Sequence, residues 1–95
     1  MKLFKSPQVS DKTTSYKIEN EVITVEFENE TEVYDFSEMP EGIAEEIETE
    51  VFEFNPIISA KRENGELWIE VLNFITEDAT ESERFPKWED TNAEN

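Results

Sequence analysis

Ile57-Ile58-Ser59-Ala60-Lys61-Arg62-Glu63-Asn64-Gly65-Glu66-Leu67-Trp68-Ile69-Glu70-Val71-Leu72 reads as a β-hairpin. Asn64-Gly65 is the pair a type I′ turn demands, because both central residues need positive φ. With that turn, Arg62 faces Leu67, Ala60 faces Ile69 and Ile58 faces Val71 on one side of the ribbon. On the other side Lys61 faces Trp68, Ser59 faces Glu70 and Ile57 faces Leu72. Both sides carry apolar groups, so each calls for a cover: a second sheet, a helix or another subunit.

Upstream of the hairpin, period-two alternation recurs. Tyr16 and Ile18, then Ile23, Val25 and Phe27, then Tyr34 and Phe36 alternate with polar residues, as half-buried strands do. Two-residue loops at Asn20-Glu21 and Asn29-Glu30 would set Ile18 against Ile23, Tyr16 against Val25, Val25 against Tyr34 and Ile23 against Phe36. Glu50-Val51-Phe52-Glu53-Phe54 reads as a further strand burying Phe52 and Phe54, closed by Asn55-Pro56. Short helical turns are expected at Ile43–Ile47 and near Thr80, where Thr80 and Glu83 stand at capping-box spacing. Phe85, Pro86 and Trp88 read as a clasp that pins the chain back on its body.

The expected architecture is an all-β domain over residues 14–88, a small antiparallel sandwich or open barrel of about six strands with one or two short helical turns. Residues 1–13 are polar, contain Pro7 and lack periodicity, so they read as an N-terminal arm or an edge strand that orders late. Residues 89–95 read as a flexible acidic tail.

Composition narrows the function. The 95 residues carry 25 Asp and Glu against 8 Lys and Arg, a formal charge of −17, with no His and no Cys. That charge repels nucleic acid and anionic membrane, and any partner is expected to be basic. Without His or Cys, the commonest general base, the thiolate nucleophile and the structural zinc patterns are missing. No segment approaches the roughly 20 apolar residues of a membrane span, and nothing resembles a signal peptide. The 36% apolar content is low, yet seven Phe, two Trp and two Tyr sit in periodic positions that a disordered chain has no need of. The expectation is a non-catalytic protein without metal or cofactor. Glu77, Asp78, Glu81 and Glu83 could offer oxygen ligands to calcium, but they lack the alternating spacing and central glycine of an EF-hand loop.

Uncovered apolar residues are the better guide to a binding surface. Val22 and Val33 fall opposite the Tyr16-to-Phe36 face, and Trp68 falls opposite Ile69 beside Lys61. With Phe85 and Trp88, these are the candidate partner-binding residues: Val22, Val33, Lys61, Trp68, Phe85 and Trp88.

From Phe54 to Phe74, followed by Glu83-Arg84-Phe85-Pro86-Lys87-Trp88, the chain resembles small acidic proteins from the tail and lysis gene region of phages that infect Gram-positive bacteria. The resemblance covers about the C-terminal half and rests on a hairpin followed by an aromatic clasp. It implies an all-β phage protein connected with the tail or its assembly, located in the host cytoplasm with incorporation into the virion left open. It carries over no catalytic residue. The expected function is therefore protein–protein contact, with a partner or with another copy as an oligomer. The alternative is a DNA mimic that inhibits a host DNA-binding or defence enzyme through an acidic surface of Glu26, Glu28, Glu32, Asp35, Glu45 and Glu46. Duplex DNA carries one negative charge per about 1.7 Å of axis, so a mimic needs a continuous stripe of acids.

Overall fold

The computed structural model describes residues 1–44 and 47–91. Within them the chain forms eight strands and one short helix: β1 (Lys2–Val9), β2 (Ser15–Glu19), β3 (Val22–Phe27), β4 (Glu30–Asp35), β5 (Gly42–Ile43), β6 (Ile57–Glu63), β7 (Glu66–Ile75), α1 (Glu81–Arg84) and β8 (Glu89–Asp90). The strands make a five-stranded sheet, ordered β5-β6-β7-β1-β8, and a three-stranded sheet, β2-β3-β4. Their inner faces share one core, which gives the expected all-β fold as a sandwich. Leu3, Ile57, Ala60, Leu67, Ile69 and Val71 come from the larger sheet and Ile23, Val25 and Tyr34 from the smaller, with Met1 and Phe36 joining them from just outside the strands.

The Asn64-Gly65 turn has φ of 53° and 82°, as a type I′ turn requires. Ser59 through Arg62 hold the expected register with Glu70 through Leu67. Beyond Ser59 the register slips: Ile57, not Ile58, is the partner of Val71. A β-bulge at Ile58 explains the difference, because one extra residue reverses which neighbour faces inward. Ile57 is 3% exposed and Ile58 47%. Buried Pro56 fixes the strand entrance, its carbonyl accepting from the Leu72 N–H at 2.8 Å while Asn55 Oδ1 accepts from the Ile57 N–H.

In the smaller sheet the first hairpin has the expected register, Tyr16 with Val25 and Ile18 with Ile23. The second does not. Its loop is Glu28-Asn29, not Asn29-Glu30, and Val25 lies opposite Glu32 while Ile23 lies opposite Tyr34. Glu28 and Asn29 take φ of 51° and 68°, the left-handed pair of a type I′ turn, which Asn29 tolerates well. The slip equals one full side-chain period, so Ile23, Val25 and Tyr34 still share the buried face.

The N-terminal stretch, expected as an arm or late edge strand, is an interior strand of the larger sheet. β1 runs parallel to β7 along its whole length, from Lys2 with Trp68 to Val9 with Ile75. Its inward positions read Leu3, Lys5 and Pro7, so one apolar residue has to represent the face and no period-two pattern shows. Proline is tolerated because β8 pairs only with Lys2 and Leu3, so that among the described residues the far edge of β1 has no strand partner beyond that point. β8 itself falls at residues 89–90, inside the stretch expected to be a flexible tail, and Thr91 donates its N–H to the Met1 carbonyl at 3.0 Å.

Two further expectations change. At Ile43 there is no helical turn: Gly42–Ile43 is a strand paired with Arg62 and Lys61, and the Ala44 N–H donates to the Ala60 carbonyl. The Glu50–Phe54 segment is irregular, yet Phe52 and Phe54 still pack half-buried against Phe27 and Phe74, with ring centroids 5.1–6.4 Å apart. The helical turn at Thr80 is present with its capping box. Glu83 N–H donates to Thr80 Oγ1, and Thr80 N–H to Glu83 Oε1.

Candidate interaction surface

β1 and β7 turn alternate residues out of the core, and on that outer face the parallel register places Lys2 beside Trp68 and Phe4 beside Glu70. After α1 the chain returns to the edge of the sheet beside β1, and Trp88 settles on Phe4 and Trp68. Its ring lies 5.3 Å from Trp68 at 75° and 5.4 Å from Phe4 at 46°. Such tilted pairs are worth about 0.5–1.5 kcal/mol each beyond the area they bury. Lys61 completes the group, its Nζ 5.6 Å from the Trp68 ring centroid and 3.4 Å from a Glu63 carboxylate oxygen. Trp68 is thereby half-buried, while Trp88 stays 45% exposed.

The six candidate residues from the sequence do not form one surface. Lys61, Trp68 and Trp88 come together on the outer face of the larger sheet. Val33 and the half-buried Val22 belong to β3 and β4, on the outer side of the smaller sheet. Phe85 does not share the clasp with Trp88. It is 73% exposed and borders a small apolar depression with Pro7, Val9, Ile75 and Arg84. Phe4 is the member that sequence reasoning missed, since it sits in the stretch read as an arm; the alternation of Met1 and Leu3 around it was the available signal.

The acids of the alternative reading are partly committed elsewhere. Glu32 accepts hydrogen bonds from the N–H groups of Glu50 and Val51 at 2.9 and 3.0 Å, from Thr49 Oγ1 at 2.7 Å and from the Tyr34 hydroxyl at 3.2 Å. It therefore anchors the irregular 49–54 segment. Burial opposes its charge, but the hydrogen bonds from Glu50, Thr49, Val51 and Tyr34 outweigh burial and hold its carboxyl below the ordinary range. Asp35 accepts from the Ser37 N–H, and hydrogen bonding by the Ser37 side chain and then by its backbone lowers the Asp35 pKa as well, while Glu28 pairs with Lys12. Glu26 is exposed, and Glu45 and Glu46 lie outside the described residues.

Glu32 gives a pH prediction with a definite sign. A carboxyl whose folded pKa is depressed contributes stability above its unfolded pKa and loses it as pH falls through the folded value. Glu32→Gln should therefore be less stable than the parent at neutral pH, with the gap closing on acidification below the usual carboxylate range. Urea melts of both chains across that range check it; a gap independent of pH refutes it.

Arg62 is a second residue the sequence did not mark. Its guanidinium binds both Glu21 carboxylate oxygens, at 2.8 and 3.0 Å, and also donates to the carbonyls of Met39, Phe36 and Gly65. One side chain thus ties the β2–β3 turn, the exit of β4 and the β6–β7 turn together. The bond to Arg62 lowers the Glu21 pKa against the opposing effect of burial.

Among the described residues, no buried side-chain polar atom lacks a hydrogen-bond partner, no acidic cluster has metal-binding geometry, and no helix is long and apolar enough to cross a membrane. No family model, curated protein or solved structure matches the chain.

Proposed function

We propose that the chain is a non-catalytic interaction domain that docks on a protein partner through the Phe4–Trp68–Trp88–Lys61 face. The observation that carries this is Trp88, 45% exposed and held by two other aromatic rings on the outside of a domain of charge −17. Tryptophan is enriched among the hot-spot anchors of protein interfaces, and an aromatic centre inside an anionic surround suits a partner with an apolar pocket and a basic rim. Self-association through this face would bring two strongly anionic bodies together, so a different, basic partner is favoured over a second copy. The partner proposed is a tail component or an assembly factor, met in the host cytoplasm or in the virion; the resemblance to proteins of phage tail and lysis regions supports this reading.

The test is co-purification from phage-infected cells with the parent, Trp88→Ala and Phe85→Ala. Trp88→Ala should weaken retention of a virion protein at least about tenfold, the loss expected of an interface hot spot, while Phe85→Ala retains it. Both variants should keep a cooperative urea transition, since neither side chain lies in the core. Equal retention by Trp88→Ala and parent refutes the docking face. Recovery of a DNA-processing enzyme, released steeply by salt, would support the DNA-mimic alternative instead.

A further inference from the structure

The seam between the two sheets is open along β1 and β2, and it holds a cavity of about 650 Å³ lined by residues that include Lys5, Ser15, Tyr16, Asn73, Ser82 and Lys87. Lys5 reaches it from an unusual position. Its register partner is Val71, 0% exposed, and it follows Leu3 by one side-chain period, so it stands on the core-facing side of β1. A cation there is expected to find a carboxylate, above all in a chain with 25 of them. Four of the eight basic side chains do: Lys2 with Asp90, Lys12 with Glu28, Lys61 with Glu63 and Arg62 with Glu21. Arg84 instead donates to the backbone carbonyls of Ala79 and Glu77. Lys5, Lys17 and Lys87 have no carboxylate partner among the described residues, and two of these three line the same cavity.

We infer that this cavity binds the oxyanion group, phosphate or carboxylate, of a small molecule, with Lys5 at its inner wall and Lys87 at its rim. The neutral polar groups of the lining fit that chemistry. Ser15 and Ser82 bring hydroxyl donors and Asn73 an amide. Tyr16 donates its hydroxyl to the Leu72 carbonyl, and burial pushes its pKa up to about 12, so it adds no negative charge. Two carboxylates also line the cavity. Glu83 accepts hydrogen bonds from the backbone N–H and hydroxyl of Thr80, and Glu89 is an exposed residue of β8; both bring negative charge, so the two lysines have to outweigh them. The size lies within the range usual for small-molecule sites and exceeds what a bare inorganic ion needs.

Titration of the ¹⁵N-labelled chain with inorganic phosphate, and separately with acetate, tests this. Saturating shifts should be confined to amides around Lys5, Ser15, Asn73, Ser82 and Lys87, with phosphate and acetate competing for one site. Lys87→Gln, on an exposed side chain, should leave the fold intact and raise the apparent Kd at least about tenfold, as should Lys5→Gln; Lys17→Gln should not. Non-saturating drift, equal shifts on adding sodium chloride, or a Lys87→Gln chain that binds like the parent overturns the site. In that event Lys5 is an inward-pointing charge that guards the open edge of β1 against pairing with other chains. None of these outcomes touches the aromatic face, which lies on the other side of the same sheet.

Discussion

A chain that starts at Ser10, lacking β1, is expected to lose cooperative folding altogether. Removal would strip Met1 and Leu3, 3% and 2% exposed, from the core. Each such side chain contributes about 1.5–3 kcal/mol by burial alone. It would also remove the parallel ladder along β7 from Trp68 to Ile75, exposing one edge of the strand that supplies Leu67, Ile69 and Val71. β8 would lose its strand partner among the described residues, and Trp88 its contact with Phe4. A domain of this size has a net stability of about 5–15 kcal/mol, so these losses together consume most or all of it. Far-UV circular dichroism with a urea melt decides: no sigmoidal transition is the expected result. A retained transition, even at lower midpoint, would mean that β1 is peripheral after all.

That result would isolate what the sequence could not disclose. Alternation was enough to find β2, β3, β4, β6 and β7, because each repeats apolar residues on one face, and Asn64-Gly65 was enough to register the hairpin at its turn. β1 has one apolar inward residue and a proline, and its strand character comes from its neighbour β7, sixty residues and more away in the chain. The slip at Glu28-Asn29 has a different cause. Registers two residues apart present the same faces, so hydrophobic patterning cannot separate them, and turn conformation makes the choice. Of the aromatic surface, Trp68 and Lys61 were visible as a cross-strand pair and Trp88 as a clasp, but Phe4 was hidden by the misreading of β1. Arg62 and Glu32 were hidden for a related reason. Each binds backbone groups of segments distant in sequence, and nothing in their own neighbourhoods distinguishes them from solvated charges.

The bulge in β6 makes the second large prediction, a contrast between adjacent isoleucines. Regular alternation from Asn64-Gly65 would bury Ile58, whereas the bulged strand buries Ile57 at 3% exposure and leaves Ile58 at 47%. Ile57→Ala removes methyl groups from a site walled by core residues, and such truncations cost about 2–5 kcal/mol, part transfer and part residual cavity. Ile58→Ala should stay within about 1 kcal/mol, since the side chain is already half in water. For a domain of this length each kcal/mol moves the melting temperature by about 4–8 °C, so the two variants should separate by at least about 4 °C, and by more than about 10 °C for an Ile57→Ala loss in the middle of its range. Thermal melts of both chains distinguish the arrangements directly. Equal losses would mean that the bulge slides between registers, and a reversed order would restore the unbroken hairpin. The bulge has a local cause that a third variant can reach. Asn55 Oδ1 caps the Ile57 N–H at 3.0 Å and Pro56 cannot donate to a ladder, so the strand has to begin one residue out of phase with its turn. In Asn55→Ala the cap is gone while Pro56 remains, and the gap between Ile57→Ala and Ile58→Ala should narrow in that background if the cap, more than the proline, holds Ile57 inward.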